Sequence, residues 1–335
     1  MRFIDRFLPR PSETAGRQEP GLLRSNVRVV ERGGYFVHSD WSPSGVTDQF
    51  LLDAGTYHDR YFDRLDFLGL ADQCLAAAAI DRSAPLRVLD IGSGGGSSVF
   101  ALAKLLPNAN VVASDISPQL LGKLTAFSAT RAELRSRISA YCFDLHRPFF
   151  EANVFDLVFG SAIIHHLTDP LAALRHVAHS LKPGGRIIIV EPMEAGSLLL
   201  TTMYEAVLVE LRHRGAADHP IARLMVAMRT DIHARLGVPI RKPWTEHLDD
   251  KWVFNRPYLS DLAGGLHCRS AEVFASQADL SHVYEESFRS LLADSGNGNV
   301  EIPEYVLSIV RRFDAEISPG LKEHLCPTGI VIFRK

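Results

Sequence analysis

The residues with the clearest chemical potential form one short run, Val88–Leu89–Asp90–Ile91–Gly92–Ser93–Gly94–Gly95–Gly96. An apolar strand that ends in an acid and turns through Gly92, Gly94 and Gly96 lets backbone approach a ligand where Cβ atoms would clash. Such loops serve either a pyrophosphate resting on a helix N-terminus or the amino-acid part of a cofactor. Asp90 suits the second case, because a carboxylate there repels a pyrophosphate and attracts an ammonium. The loop alone leaves both ligands open.

The next acids narrow the choice. Asp115 ends a second apolar run about 20 residues beyond the loop, where a carboxylate can accept both hydroxyls of a ribose. Dinucleotide enzymes share that feature, so it supports the fold more than the ligand. Asp144 ends a third run, Tyr141–Cys142–Phe143–Asp144–Leu145, where it can accept a hydrogen bond from an adenine amino group. Ile116 and Leu145 are then placed to close on the ring faces. A fourth run, Phe155–Asp156–Leu157–Val158–Phe159–Gly160–Ser161–Ala162, leads into Ile163–Ile164–His165–His166.

Elements that could position these residues follow from the pattern. Leu86–Asp90, Val111–Asp115, Ile138–Phe143, Phe155–Gly160 and Arg186–Val190 are short apolar runs separated by helical stretches, the pattern of a parallel sheet covered on both faces. Ser117–Pro118 and Asp169–Pro170 are helix starts, and Lys182–Pro183–Gly184–Gly185 is a stop. Upstream, residues 1–26 read as an arm, Val27–Val30 and Tyr35–His38 as a small hairpin, and Thr56–Ile80 as a helix. Beyond Pro192, helices are expected over Leu198–Leu211, Ile221–Leu236, Arg256–Leu262, Ser281–Ala293 and Pro303–Ile317. Strands are expected at Ala271–Ser276 and Gly329–Phe333. The expected division is an arm and hairpin at 1–50, a nucleotide-type core at 51–194, a helical cap at 195–270, and at 271–335 the last two strands with a helical insertion near 278–325.

In order and spacing, Val88 to Glu191 resembles the class I S-adenosylmethionine (SAM)-dependent methyltransferases, in their small-molecule branch. The resemblance implies an α/β fold, a Rossmann-like, doubly wound, seven-stranded sheet, mostly parallel, whose last strand inserts antiparallel. It implies SAM as cofactor. Asp90, Gly92, Gly94 and Gly96 would line the methionine side, Asp115 and Ile116 the ribose and adenine, and Asp144 and Leu145 the adenine. Ser161 and Ala162 would pass beneath the methionine moiety. Residues 1–50 and 195–325 lie outside it.

SAM carries an electrophilic methyl group, so the protein's main task is to align nucleophile, methyl carbon and sulfur and to exclude water. His165 and His166 follow the fourth strand, at the edge where open α/β sheets bind ligands, and a neutral imidazole is a suitable base near neutral pH. Otherwise one histidine packs under the cofactor while the other caps the next helix; as base, His166 is slightly preferred. Glu191, ending the fifth strand, either orients substrate or binds a cation, or serves as a capping carboxylate behind the site. Tyr57 and Tyr61 either close over the cofactor or belong to the core. His176 and His179 have a spacing that can hold metal, but with no accompanying acid motif they read as a solvated helix face, so no metal is expected.

Substrate choice falls to the insertions. Met203, Tyr204, Leu224, Met225, Met228, Trp244, Trp252, Phe254, Tyr258, Tyr284, Phe288, Tyr305 and Phe313 suggest an aromatic-lined pocket, or else a dimer interface or extra core. A net charge of −3, with 46% hydrophobic and 22% charged residues in 335, gives no basic footprint for nucleic acid. No apolar run approaches the ~18–20 residues that cross a bilayer. Met1–Arg10 is a poor signal peptide. The four cysteines are scattered, without a CxxC pair, as in a reducing compartment. The expected protein is therefore cytoplasmic, a candidate homodimer, and methylates a small, partly apolar metabolite or natural product. The alternatives are SAM chemistry of the cyclase or lyase kind, an NAD-linked oxidoreductase, and a regulatory SAM-binding protein.

Overall fold

The computed structural model describes residues 20–39, 41, 53, 55–56, 58, 67–236, 249–295 and 298–335. Tyr57, Tyr61 and Trp244 lie outside the described residues, as does the expected N-terminal arm before residue 20.

Among the described residues, nine strands form one sheet: β1 (Val29–Arg32), β2 (Tyr35–His38), β3 (Arg87–Ile91), β4 (Asn110–Asp115), β5 (Ile138–Cys142), β6 (Phe155–Ser161), β7 (Leu181–Pro192), β8 (Ser270–Ala275) and β9 (Thr328–Arg334). Their order is β1-β2-β5-β4-β3-β6-β7-β9-β8. The expected seven strands are β3 to β9, parallel except that β9 runs antiparallel between β7 and β8. The other two correct the expected count. The hairpin β1–β2 does not stand apart; β2 joins β5 in parallel, with Phe36 opposite Tyr141 and Val37 opposite Cys142.

Side chains alternate across the sheet, so a parallel strand covered on both faces needs apolar residues at every position. β7 shows this: Ile187 and Ile189 pack on one face, Ile188 and Val190 on the other. Both faces are closed by helices, among them Phe67–Ala77, Ser97–Leu105 and Pro118–Ala129 with the second face and Pro170–Ser180 and Arg256–Gly265 with the first. The expected start signals act as read. Ser117 Oγ accepts from Leu120 N and Asp169 Oδ1 from Ala172 N, each with a proline at the first helical turn.

The central strand β3 has β4 on one side and β6 on the other, reached by connections that wind in opposite directions. The carboxyl ends of β3 and β6 therefore flank a crevice, the place where open α/β sheets bind ligands.

The two insertions fold together. Helices Glu194–His213 and Pro220–Arg235 from the first pack with Val283–Asp294 and Glu304–Glu316 from the second around a common apolar core. This overturns part of the pocket expectation. Met203, Tyr204, Met225, Tyr284 and Phe288 are wholly buried in that core, with Leu224, Met228, Tyr305 and Phe313 packed against it. Trp252, Phe254 and Tyr258 stack on one another under the sheet's first face, centroids 5.6 to 6.3 Å apart. Four helices leaving the sheet must bury their own apolar stripes, and these residues supply that interior.

Candidate active site

The glycine loop is fixed by its neighbours before any ligand is considered. Gly92, Gly94 and Gly96 all have positive φ (67°, 52° and 104°), which favours residues without a Cβ. A Cβ on Gly92 would come within 2.6 Å of Ile163, whereas one on Gly94 would meet nothing within 4 Å. Ser93 N donates to Ser114 O and Ser114 N donates to Ser93 Oγ, so the loop is laced to the end of β4.

Asp90 is 1% exposed. Its Oδ2 accepts from Ser98 Oγ at 2.7 Å, in the first turn of the following helix, while Oδ1 has no partner. A buried carboxylate oxygen without a donor is costly, and a ligand ammonium would satisfy it. Burial raises the Asp90 carboxyl to about 7 against the opposing bonds from Ser98 and Ser93. The orphaned oxygen and the open space over Gly94 fit the amino-acid part of SAM.

Asp115 is already committed in part. Its Oδ2 accepts from Gly94 N at 2.8 Å and its Oδ1 from Ser117 N at 2.7 Å, so it ties the loop to the next helix. Burial raises its carboxyl despite these bonds. Ile116 O accepts from Trp41 Nε1 at 3.1 Å, an anchor from beyond the hairpin that sequence patterning does not flag. Asp144 Oδ1 accepts from both His146 N and His146 Nδ1 at 2.9 Å. Burial alone would raise this carboxyl, but the His146 bonds outweigh it and hold the group low, hence ionised. His146 Nε2 then accepts from Asp169 N at 3.3 Å. Leu145 packs against the first face. His58 lies directly over Gly95, leaving no room for a Cβ there; the cover expected from Tyr57 and Tyr61 has a described neighbour in this histidine.

Beyond β6 the chain turns sharply. Ser161 pairs with Val190, and Ala162 takes φ 53°, rare for a residue with a Cβ, while its N donates to Val190 O. A single 3-10 turn, Ile164–His166, follows. Glu191 holds this turn. It is fully buried, and its Oε1 accepts from Ile163 N (3.0 Å) and Ile164 N (2.7 Å), while Oε2 lies 2.5 Å from His165 Nδ1. Of the two expected roles, the geometry is that of a capping carboxylate behind the site.

The two imidazoles lie 4.0 Å apart, between centroids. His165 faces a carboxylate at each nitrogen: Glu191 at Nδ1 and, at 3.5 Å, Asp250 at Nε2. Burial alone would depress its pKa, but Glu191 and Asp250 overcome this and raise it to about 9. His166 moves the other way, lowered to about 3 by burial and then by the charge on His165. The pair thus carries one positive charge, on His165. His166 Nδ1 donates to Asp249 O at 3.0 Å, which leaves its lone pair on Nε2.

Asp250, Arg235 and Lys251 belong to this site and were not found from sequence. Asp250 Oδ2 lies 3.4 Å from Arg235 Nη1, and Arg235 also pairs with Asp231. The only signal was a charged stretch, Asp249–Asp250–Lys251, set before the buried Trp252–Val253–Phe254. Among the described residues, His165, His166 and Asp250 bring one potential metal-ligating atom each within 4.8 Å of one another; this is not the His176–His179 pair that spacing suggested.

Comparison with known proteins finds methyltransferases. Residues 89–187 match the model of a methyltransferase domain family. The chain is 37% identical over 118 residues to the aklanonic acid methyltransferase DauC of a Streptomyces strain, covering 34% of this chain and 53% of the relative. It is 33% identical over 135 residues to the ubiquinone biosynthesis O-methyltransferase of Cereibacter sphaeroides, covering 37% and 50%. It spans about half the length of these relatives. Among solved structures, it is similar to the Haemonchus contortus phosphoethanolamine N-methyltransferase 2, at 16% identity and a TM-score of 0.48, over 88% of this chain and 59% of that one.

Proposed function

We propose, from the premise that this chain carries a class I SAM-dependent methyltransferase domain, that it transfers the methyl group of SAM to a hydroxyl of a small, partly apolar acceptor. The observation that carries this reading is the His165–His166 pair at the carboxyl edge of β6, His165 buried and charge-fixed by Glu191, His166 half-buried beside it. Bound SAM supplies an electrophilic methyl on a sulfonium sulfur. What the chain adds is alignment, dryness and a place for one proton.

His166 is the proton acceptor. With a pKa of about 3 it cannot deprotonate the free hydroxyl; its Nε2 takes the proton only as the acceptor oxygen bonds to the methyl carbon and turns strongly acidic, while the carbon–sulfur bond breaks and leaves S-adenosylhomocysteine. His165, already an imidazolium, cannot take that proton near neutral pH. Instead, held between Glu191 and Asp250, it keeps the neighbouring His166 neutral and in place. Asp90 and the glycine loop hold the amino-acid end of the cofactor, Asp115 the ribose and Asp144 the adenine, with Ser161 and Ala162 below the methionine part. Asp90 against pyrophosphate and Asp144 at the adenine edge weigh against a dinucleotide.

The names of the two relatives, an aklanonic acid methyltransferase and a ubiquinone biosynthesis O-methyltransferase, favour acidic and quinone-type acceptors. The test is incubation with SAM and a set of phenolic acids and hydroxyquinones, reading S-adenosylhomocysteine and methylated product together. Equal amounts of both support the reading. Methylthioadenosine, or acceptor conversion without S-adenosylhomocysteine, refutes methyl transfer. No helix among the described residues is long and apolar enough to cross a membrane.

A further inference from the structure

Asp250 lies outside the sheet and outside the methyltransferase-domain match, in the connection that follows helix Pro220–Arg235. Yet the short strap around it is stitched to the histidine turn along its length. Lys251 N donates to His165 O at 2.7 Å, His166 Nδ1 donates to Asp249 O at 3.0 Å, and Trp252 Nε1 donates to Leu167 O at 2.7 Å. Within that strap the Asp250 carboxylate lies 3.5 Å from His165 Nε2 and 3.4 Å from His166 Nδ1. Its second oxygen faces Arg235, a guanidinium only 6% exposed.

We infer that Asp250 is a positioning residue for the reaction, through which the helical insertion holds the imidazole pair from the side opposite Glu191. The inference rests on the role given to the histidines above. The groups facing the pair are Glu191 from β7, Asp249, Asp250 and Lys251 from the strap, and Arg235 and Asp231 from helix Pro220–Arg235. Of these, Asp250 alone touches both imidazoles and the insertion's buried cation. Remove its charge, and the His165 imidazolium and Arg235, both largely buried, lose the carboxylate that stands between them. One carboxylate therefore reconciles two positive groups from different parts of the chain, and does so only when the insertion is seated.

The same three ligand atoms could hold a transition metal. Arg235 against the other oxygen of Asp250 weighs against that occupant, because a bound cation would lie beside a guanidinium.

The test needs no acceptor. In the full chain with 15N-labelled histidine, Asp250→Asn moves the His165 titration to lower pH by about one unit. Asp250→Glu restores it, and SAM affinity by calorimetry is unchanged in both. An Asp250→Asn protein whose His165 titrates as before overturns the inference. So does loss of SAM binding in Asp250→Asn, which would make the residue part of the cofactor site or of the fold. Zn2+ binding to the parent chain that Asp250→Asn abolishes overturns it too, by making the carboxylate a metal ligand. Because the imidazole titration is read without turnover, it stands or fails independently of whether the phenolic probes are methylated.

Discussion

The proposed cofactor side and the proposed acceptor side of this site are built from chain in opposite ways. On the cofactor side, Asp90, Asp115 and Asp144 end consecutive parallel strands, and their partners are mostly backbone N–H groups and serines within the same stretch. On the acceptor side, His165 and His166 are held by Glu191 from another strand and by Asp250 and Arg235 from an insertion. The first half is a set of strand ends, each placed by its own turn. The second is a charge network that exists only after distant segments have met. Mutations on the cofactor side should therefore act locally on ligand affinity, and those on the acceptor side on chemistry and stability together.

The sharpest separation comes from His166→Gln. Turnover of the phenolic probe that serves as acceptor should fall roughly 100- to 1000-fold, as expected for loss of a general base, with SAM affinity by calorimetry unchanged. Equal losses in both would erase the distinction between the two halves. Glu191→Gln should cost about 3 kcal/mol of stability in urea melts, since it leaves a buried imidazolium short of a carboxylate. The pH dependence carries a sign. The His165 pKa is raised on folding, so its stabilisation is complete below the unfolded value of ~6.5 and is lost as pH rises through about 9. That alkaline loss should shrink in Glu191→Gln; an unaltered profile would separate Glu191 from the histidine.

On the other side, Asp115→Ala removes acceptors for Gly94 N and Ser117 N. SAM affinity should fall roughly 30-fold, the scale of one charged hydrogen bond, while the imidazoles titrate unchanged by NMR. The smallest effect is a pH trend. With Asp90 raised to about 7, its carboxyl is neutral below that pH, so affinity for cationic SAM should weaken severalfold between pH 8 and 6. Asp90→Asn should flatten the trend. A flat profile in the unaltered protein would place the ammonium elsewhere.

Legibility in the sequence divided along the same line. Gly92 and Asp115 could be read because a strand, its turn and its terminal acid are neighbours in sequence. The 3-10 turn at His165 was reachable as a position but not as an electrostatic state, because Asp250 lies far along the chain and nothing in Asp249–Asp250–Lys251 names its partner. Tyr204 and Phe288 show a different limit. An apolar side chain says that it will be buried, not against what, and here the answer was another inserted helix instead of a substrate. Periodicity favoured Tyr57 and Tyr61 over His58, since a polar residue on an apolar helix carries no hydrophobic signal; only the close approach to Gly95 reveals it. The hairpin was legible from its own turn, whereas its sheet partner was not, because backbone edges do not encode which strand they will meet.

That pairing of β2 with β5 bears on how the molecule comes off the ribosome. The hairpin is made early, but the strand it must join emerges roughly a hundred residues later, a wait of about 5 to 20 seconds at ordinary rates of synthesis. During that interval the side chains of Tyr35, Phe36 and Val37, buried in the finished protein, have no sheet to cover them. The nascent chain must shelter this edge, by chaperone or by transient collapse, until Tyr141 and Cys142 arrive to close it.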